Sequence, residues 1–269
     1  MSIKIGILGC GWLGLPLAKS LIEGQHTVYG TTTSDSKIKD LQKATITPFI
    51  IDLSENGIIG DINSFLAELE LLIINVPPKL RSGPMESYIK KMHHLYHKIK
   101  NTTLDRIIFI SSTSVYGDVA GQVTEDSPTR PKTESGRQLL AAENIFLNDV
   151  LLHTTIIRFG GLIGPSRHPV TYLAGKTNLN NGNDPVNLIH LNDCIGIIKM
   201  AINGKWKNKV VNGVYPHHPT KETYYTSEAI KRGLLPPSYT QDSEKIGNKS
   251  IESKYLNVKT YPFNTSIVG

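Results

Sequence analysis

The amino-acid sequence predicts an α/β protein with a doubly wound parallel sheet and a small C-terminal lobe. Two observations support this fold class: short apolar runs alternate with longer segments of helical periodicity, and a glycine-rich turn directly follows the first run. The runs are rich in β-branched residues and leucine without strict alternation, which is typical of strands buried on both faces of a parallel sheet. Alternating strands and helices predict right-handed crossovers on both sides of one sheet.

The predicted sheet domain comprises residues 1–160. Its strands are Ile3–Leu8, Thr27–Thr31, Pro48–Leu53, Leu71–Val76, Arg106–Ser111 and Thr154–Arg158. Its helices are Trp12–Glu23, Lys37–Lys43, Asn63–Glu70, Met85–Lys100 and Glu134–Asn148.

The sequence changes in character after residue 160. Glycines, prolines and an asparagine-rich stretch make Phe159–Asn187 mostly loop, and a loop of that length in a compact domain is usually functional. A strand at Val186–His190 and a helix near Asp193–Asn203 follow. Residues 161–269 are therefore predicted to contribute a small lobe, interleaved with the first domain.

Composition excludes several classes of protein. Cys10 and Cys194 are the only cysteines among 269 residues, which excludes a disulfide framework and a cysteine-rich zinc module and fits a reduced compartment. The net charge of +6 is spread along the chain, so it suits a nucleotide cofactor as well as nucleic acid. Because no basic-aromatic patch is present, we expect no nucleic-acid partner. The apolar segment before Cys10 is too short for a secretion signal, and no window approaches a membrane span. We therefore expect a cytoplasmic protein with no membrane partner.

The strongest local motif is the glycine turn Gly9-Cys10-Gly11-Trp12-Leu13-Gly14, between the first strand and the first helix. This is the position that the dinucleotide-binding fingerprint of a Rossmann sheet requires. Gly9 would allow the tight turn, Gly11 the close approach of a pyrophosphate, and Gly14 the packing of helix on sheet. A glycine-rich turn without a ligand is the alternative.

The end of the second strand favours NADP over NAD. NAD-binding proteins often place an acidic residue there to accept from the ribose 2′-hydroxyl. Here the hydroxyls of Thr31, Thr32 and Thr33 precede Asp35, and Lys37 lies close by. Hydroxyl donors and a lysine could hold a 2′-phosphate, although Asp35 leaves NAD possible.

Several further segments occur in an order that together resembles a known family. They are Asp52-Leu53, Asn75-Val76-Pro77-Pro78, Phe109–Gly117 with the sequence FISSTSVYG, Thr124–Pro128, Arg158–Pro165 and Asn187–Asp193. This set resembles the extended branch of the short-chain dehydrogenase/reductase superfamily, the NAD-dependent epimerases and dehydratases. Within that branch it is most similar to an atypical, YeeZ-like group. The resemblance covers nearly the whole chain.

The resemblance implies roles for residues at the cofactor. Asp52 would accept from the adenine amino group, and Leu53 would pack against the ring. Asn75, Val76 and Pro77 would line the ribose and pyrophosphate.

The resemblance also implies roles at the substrate. Ser112 would hydrogen-bond the reacting oxygen. The loop from Gly161 to Asn187 would cover the substrate, and Arg167, Asn187 and His190 could contact its polar groups. For these three residues, a solvated loop position is the alternative.

The sequence departs from the family at its acid/base pair. The family uses Tyr-x-x-x-Lys on the helix after the serine strand, where lysine lowers the pKa of the tyrosine. One register places Thr133 and Arg137 at these positions, and counting back from Glu143 places Ser135 and Leu139 there. Neither register contains a tyrosine. Arg137 could still clamp a ribose or a phosphate.

The sequence therefore does not identify the residue that would transfer the proton in place of the missing tyrosine. Tyr116 and Tyr88 are candidate proton carriers, although Tyr116 is a structural residue in the family motif.

The favoured interpretation is an NAD(P)-dependent oxidoreductase or epimerase acting on a polar carbonyl or hydroxyl of a small molecule, such as a nucleotide sugar. The alternative is a dinucleotide-binding sensor or scaffold that has lost catalysis. The resemblance implies a homodimer in which the helices Met85–Lys100 and Glu134–Asn148 pair across a two-fold axis. His93 and His97 share a helix face, but no third ligand is evident, and no metal site is predicted.

Overall fold

A computed structural model describes residues 2–78, 86–240, 249–264 and 266–267. The described strands are β1 (Lys4–Leu8), β2 (Thr27–Thr32), β3 (Thr47–Ile50), β4 (Asp52–Ser54), β5 (Gly57–Ile59), β6 (Leu71–Ile74), β7 (Arg106–Ser112), β8 (Gly121–Val123), β9 (His153–Phe159), β10 (Gly161–Ile163), β11 (Leu188–His190), β12 (Val210–Gly213) and β13 (Lys249–Ile251). The described α-helices are α1 (Gly14–Glu23), α2 (Ile38–Lys43), α3 (Ile62–Ala67), α4 (Tyr88–Lys100), α5 (Glu134–Leu147), α6 (Val170–Leu173), α7 (Leu191–Ile202) and α8 (Lys221–Lys231).

The central sheet has seven strands in the order β12-β9-β7-β6-β1-β2-β3. Strand β1 pairs in parallel with both β2 and β6, and β2–β3 and β6–β7 are parallel as well. The chain therefore winds outward in both directions from β1 and β6. This order confirms the predicted doubly wound sheet and places its switch point between those two strands.

Burial explains the continuous apolar runs. Every residue of β6 is buried, and Ile5 and Ile7 of β1 are completely inaccessible. One face of α1 supplies Leu17 and Leu21 to the same core. A central strand covered on both faces has no solvent side that would select polar residues, so it shows no period of two.

The chain divides into two compact units. One comprises residues 1–111, 133–157 and 195–210, and the other comprises 112–132, 158–194 and 211–269. The chain passes between the two units five times. The passage between residues 157 and 158 lies close to the boundary predicted near residue 160, and no predicted boundary corresponds to the other four.

The second unit contains two small parallel strand pairs, β10–β11 and β8–β13. Its core includes a cluster of buried side chains from the loop region, β11, the segment after β12, α8 and the residues after β13. The cluster comprises Ile163, Val170, Val186, Leu188, Tyr215, Tyr224, Tyr225, Ala229 and Ile267.

Several expected elements differ in detail from those in the structure. The strand expected at Pro48–Leu53 is interrupted at Ile51, because Asp52–Ser54 turns into an antiparallel hairpin with β5. Phe159–Asn187 is mostly loop as expected, but it also contains β10 and α6. The helix expected from Met85 begins at Tyr88, with the Ser87 hydroxyl capping the backbone N–H of Lys90, and Met85 lies outside the described residues. None of the described helices has the length and apolarity that a membrane crossing needs.

Candidate functional site

The glycine turn is held by hydrogen bonds to the two strands that flank β1. The backbone N–H of Gly9 donates to Thr31 Oγ1, and that of Cys10 donates to Thr31 O, both at 2.9 Å. From the end of β6, Asn75 Nδ2 donates to Gly9 O at 3.0 Å. The turn is therefore fixed before any ligand arrives.

Each of the three glycines of the motif has a separate steric reason. Gly9 has φ +106°, which side chains disfavour, and a Cβ there would lie 2.8 Å from Asn75 O. A Cβ on Gly14 would lie 2.2 Å from Gly9 O, so only glycine lets α1 approach the turn so closely. A Cβ on Gly11 would meet nothing within 4 Å. The space beside Gly11 is thus open for a group that must approach the backbone.

A cavity of about 220 Å³ opens at the carboxyl ends of β1, β2 and β6, within the first unit. It is lined by Leu8, Gly9, Cys10, Gly11, Thr31, Thr32, Thr33, Lys37, Ile51, Asp52, Leu53, Asn75, Val76, Pro77, Tyr88, Lys91 and Met92. The structure therefore brings together most of the side chains that the sequence assigns to a cofactor. The cavity lies at the switch point of the sheet, where open α/β sheets bind ligands.

Four residues assigned to the cofactor do not line this cavity. Leu13 is the N-cap residue of α1, and Gly14 begins the helix. Trp12 lies between them and Gly11. Arg137 lies in the first turn of α5, where its Nε donates to Glu134 Oε2 at 2.9 Å.

The end of β2 presents hydroxyls and a lysine to the cavity. Thr31 and Thr32 are buried, whereas Thr33 and Lys37 are exposed at the rim. Asp35 opens a short 3-10 helix, Asp35–Lys37, and does not line the cavity. The carboxylate that lines it is Asp52, at the start of β4.

Helix α4 contributes a wall that the sequence analysis missed. Met92 and the nearly buried Lys91 both line the cavity, and the Lys91 ammonium pairs with Glu86. That pairing holds the pKa of Glu86 below its usual range. The buried positions of α4 are Tyr88, Met92, Leu95 and Ile99. Because Lys91 is three residues after Tyr88 and four before Leu95, the helical period could have placed it beside the buried face.

Tyr88 supports the cavity wall and is poorly suited to carry a proton. Its hydroxyl donates to Val76 O at 2.8 Å, and its side chain is 1% exposed. Burial raises the pKa of this tyrosine far above its ordinary value. The phenol thus fixes the segment after β6.

Ser112 is the last residue of β7. Its Oγ accepts from Ser114 N at 3.2 Å at the start of a short 3-10 helix, Thr113–Tyr116. Strand β7 pairs in register with β6, with Phe109 opposite Ile74. The predicted serine therefore lies at the carboxyl end of a central strand.

Tyr116 is fully buried within the second unit. Its hydroxyl donates to Asn212 Oδ1 at 2.9 Å and accepts from Arg158 Nη1 at 3.0 Å. The guanidinium of Arg158 also lies 5.0 Å from the ring centroid. Burial raises the pKa of Tyr116. These contacts hold the phenol of Tyr116 in the core of the second unit.

The two registers proposed for the missing acid/base pair both fall at the start of α5. Thr133 is the N-cap, and its Oγ1 accepts from Gly136 N at 3.1 Å. In the other register Leu139 is buried at 6% exposure, and Ser135 is half-buried. The threonine hydroxyl is therefore engaged in capping a helix.

The predicted substrate residues all belong to the second unit. Asn187 donates from Nδ2 to Lys249 O at 2.8 Å and accepts from Ile251 N at 2.7 Å, so its amide holds β13. His190 is half-buried, its Nδ1 accepts from Asn192 N, and burial lowers its pKa. Arg167 is exposed on the long loop.

A doubly wound sheet with a three-glycine turn and a cavity at its switch point defines a Rossmann-type α/β protein. The chain belongs to the NAD dependent epimerase/dehydratase family, whose model matches residues 5–212.

Among curated proteins, Protein YeeZ of Escherichia coli (strain K12) is 35% identical over 256 residues, which are 94% of this chain and 92% of that protein. The uncharacterized UDP-glucose epimerase YtcB of Bacillus subtilis (strain 168) is 24% identical over 186 residues, 62% of this chain and 59% of that protein.

Solved structures share the fold. UDP-glucuronic acid 4-epimerase from Bacillus cereus, in complex with NAD, superposes with a TM-score of 0.78 at 19% identity, covering 99% of this chain and 93% of that one. A functionally unknown conserved protein from Silicibacter pomeroyi gives 0.73 at 18% identity, covering 93% and 89%.

Proposed function

We propose that the first unit binds a nicotinamide dinucleotide in the cavity beside Gly11, with NADP preferred over NAD. The open space at Gly11 is the observation that carries this proposal, since a pyrophosphate needs close access to the backbone there. The family match and the neighbour solved with NAD support the class of cofactor. Thr32, Thr33 and Lys37 support the preference for a 2′-phosphate.

Bound in this cavity, the nicotinamide would supply hydride chemistry on a polar carbonyl or hydroxyl of a small molecule. The epimerase neighbours act on nucleotide sugars, and this supports a nucleotide sugar as substrate. Ser112 would donate a hydrogen bond to the reacting oxygen and orient it. Arg137 would bind a ribose or a phosphate and would not transfer a proton, because a guanidinium stays protonated near neutral pH.

Titration with cofactor tests the binding proposal. Mixing the protein with NADPH is expected to shift the nicotinamide fluorescence and raise the melting temperature, and NADH is expected to do so more weakly. No response to either nucleotide at millimolar concentration would overturn the proposal.

A second candidate function is a dinucleotide sensor or scaffold without turnover. The specific observation in its favour is that each candidate proton group already has a structural role. Thr133 caps α5, and the phenols of Tyr116 and Tyr88 are buried and hydrogen-bonded. A substrate screen at saturating cofactor, followed by absorbance of the reduced nicotinamide, separates the two functions. Turnover that survives Ser112→Ala undiminished would contradict the role proposed for Ser112.

The proposal extends to location and assembly. Both cysteines are free and buried, which fits a reduced cytoplasmic compartment.

Helices α4 and α5 pack together within the first unit, and their outer face is the surface we propose for a homodimer. Sedimentation at micromolar concentration would show a dimer, and a monomer under those conditions would contradict this assembly.

A further inference from the structure

A second cavity of the first unit, of about 200 Å³, lies at the amino ends of three central strands. Leu71, Arg106 and His153 line it, and they are the first residues of β6, β7 and β9. The cavity beside Gly11 lies at the carboxyl ends of the strands, so this one, the amino-edge cavity, is at the opposite edge of the sheet. None of its lining residues has a role in the proposed function.

The amino-edge cavity is lined by two cations that no carboxylate neutralises. The half-buried Arg106 donates from Nη2 to Ile202 O at 2.6 Å, at the end of α7, and a guanidinium has further N–H groups to donate. Lys207 is exposed and lines the same cavity. Within the described residues neither side chain forms an ion pair, and no acidic residue lines the cavity. The lining therefore favours an anion.

His153 adds a polar atom that lacks a partner. Its Nε2 lies 3.7 Å from Oδ2 of Asp105, which is outside the cavity lining. Its Nδ1 is buried and has no hydrogen-bond partner among the described residues. A buried ring nitrogen without a partner lowers stability, and a protonated imidazole nitrogen can donate to a ligand oxygen. An acceptor on a ligand would thus satisfy an atom that the fold leaves without a hydrogen bond.

The segments that carry these groups are fixed by the fold. The backbone N–H of His153 donates to Asp105 O at 2.6 Å, which ties the start of β9 to the residue before β7. The loop after α7 is anchored by Trp206, which is 2% exposed and whose carbonyl oxygen accepts from Thr155 Oγ1 at 2.7 Å. Lys207 is the next residue along this loop. The polar groups are therefore brought to one cavity before any ligand binds.

The remaining wall of the amino-edge cavity is apolar. It comprises the buried side chains of Leu71, Ile107, Ile108 and Ala201. The cavity volume is several times the roughly 30 Å³ that one water occupies in the liquid, so an anionic head group leaves room for further atoms. A bare inorganic anion would bring no apolar surface to this wall, whereas a hydrocarbon group would be buried against it.

We propose that the amino-edge cavity binds a small organic carboxylate, with its carboxylate on Arg106, His153 and Lys207 and its hydrocarbon part on the apolar wall. Arg106 suits this head group because the guanidinium fork matches the two oxygens of a carboxylate. The site lies at the edge of the sheet opposite the cavity proposed for the cofactor, so it is a site for a second ligand and not for the substrate. Binding requires no nicotinamide nucleotide and is independent of the proposed function.

Calorimetry without any nicotinamide nucleotide tests the inference. The probes are hexanoate and benzoate, with acetate as the control that lacks an apolar body and hexanol as the control that lacks a charge. The tighter of the first two is expected to bind at least tenfold more tightly than either control. Equal affinity for acetate would show an anion site alone, and equal affinity for hexanol would show an apolar cavity alone. Either result, or no binding of hexanoate and benzoate, overturns the proposal.

Single substitutions locate the site. Arg106→Met is expected to weaken binding of the tighter probe at least tenfold, and Arg106→Lys, which keeps a cation, should lose less. Lys207→Met is expected to weaken it at least threefold without changing the affinity for hexanol. Lys205→Met, at an exposed position of the same loop and outside the lining, is the matched control and should bind like the wild type. Wild-type affinity in Lys207→Met would overturn the assignment, and this variant decides if Arg106→Met does not fold.

Competition separates this site from the cavity beside Gly11. The affinity for the tighter carboxylate should be the same at saturating NADPH, because the two cavities lie at opposite edges of the sheet. Competition with NADPH would place the carboxylate in the cavity beside Gly11 and would overturn the proposal. If the carboxylate binds but NADPH does not, the cofactor proposal fails while the carboxylate site stands.

Discussion

In the glycine turn Gly9–Gly14, the atoms nearest each glycine determine whether a larger side chain fits at that position. The steric surroundings of Gly14 and Gly11 differ, although both belong to one motif. At Gly14 an added Cβ would collide with Gly9 O at 2.2 Å, whereas at Gly11 it would enter open space. The same substitution should therefore have different consequences at two positions three residues apart.

Gly14→Ala is expected to lower the free energy of unfolding by about 1–3 kcal/mol, because α1 must move away from the turn. Gly11→Ala should change it by less than about 0.5 kcal/mol. Urea denaturation of both variants measures the difference. Equal stability of the two variants would contradict the packing described for α1.

The preference that we propose for NADP depends on Lys37 at the rim of the cavity. Lys37→Met is expected to weaken NADPH binding roughly three- to tenfold and to leave NADH binding unchanged, because only NADPH carries the 2′-phosphate. Lys39→Met, at an exposed position in α2, is the matched control. Equal losses of affinity for NADPH and NADH would show that Lys37 contacts a part of the cofactor that both nucleotides share.

Lys91 and Lys90 are adjacent on α4, but only Lys91 lines the cavity. Lys91→Met is expected to weaken NADPH binding roughly threefold or more, through loss of a cation in the cavity and an unpaired Glu86. Lys90→Met, at an exposed position, should have no effect. Fluorescence titration measures both, and identical affinities would exclude Lys91 from the site.

At the scale of elements, the sequence predicted the central sheet because its strands carry a local signal. The continuous apolar runs and the glycine turn are readable from the chain alone. The β4–β5 hairpin was missed because Ser54 pairs with Gly57, so its two-residue turn is Glu55-Asn56 and lacks the Asn-Gly pair that is typical of such turns. The strand was predicted to continue to Leu53 because Phe49–Ile51 is an apolar run and Leu53 lies one residue beyond Asp52.

The pairing of β13 with β8 could not be predicted in the same way. Lys249 aligns with Gly121, more than a hundred residues earlier, and three-residue strands carry no periodicity. The lining of the cavity at the ends of β1, β2 and β6 was largely predictable, since many of its residues follow strand ends. Arg106, His153 and Lys207 had no such marker, and the cavity that they share became visible only when these distant segments were placed together.

A buried histidine beside α6 and α8 gives the second unit a dependence on pH. His168 Nδ1 accepts from Val170 N at 3.2 Å, and its Nε2 lies 3.0 Å from the Tyr224 hydroxyl and 3.6 Å from Glu228 Oε2. Burial, with a contribution from Arg232, lowers the pKa of His168 to about 4 despite the nearby Glu228 carboxylate. Protonation of Nδ1 would also break its hydrogen bond to Val170.

The folded state therefore favours neutral His168, and the unfolded state takes up its proton first. Stability from this group is complete above about pH 6.5 and is lost as the pH falls towards 4, by about 1–3 kcal/mol. His168→Gln should flatten this part of the pH profile of unfolding, while His97→Gln, at an exposed position, should not. An unchanged profile in His168→Gln would contradict the account.

At the scale of the whole molecule, the first unit carries cavities of different chemistry at the two edges of its sheet. The carboxyl edge presents backbone amides, hydroxyls and Asp52 around a glycine turn, and the amino edge presents Arg106, His153 and Lys207. Each unit is assembled from three separate stretches of chain. The two units are therefore defined by contacts between segments that are distant in the sequence, and sequence periodicity does not reveal such contacts.

The function proposed for the first unit requires that the turn at Gly11 receives the pyrophosphate of a nicotinamide dinucleotide. Calorimetric titration of NADPH and NADH into the wild type and Gly11→Val tests it most directly, with circular dichroism confirming that the variant is folded. We expect saturable binding to the wild type, tighter for NADPH, and at least a tenfold loss of affinity in Gly11→Val. Equal affinity of the folded variant, or a wild type that binds neither nucleotide, would contradict it.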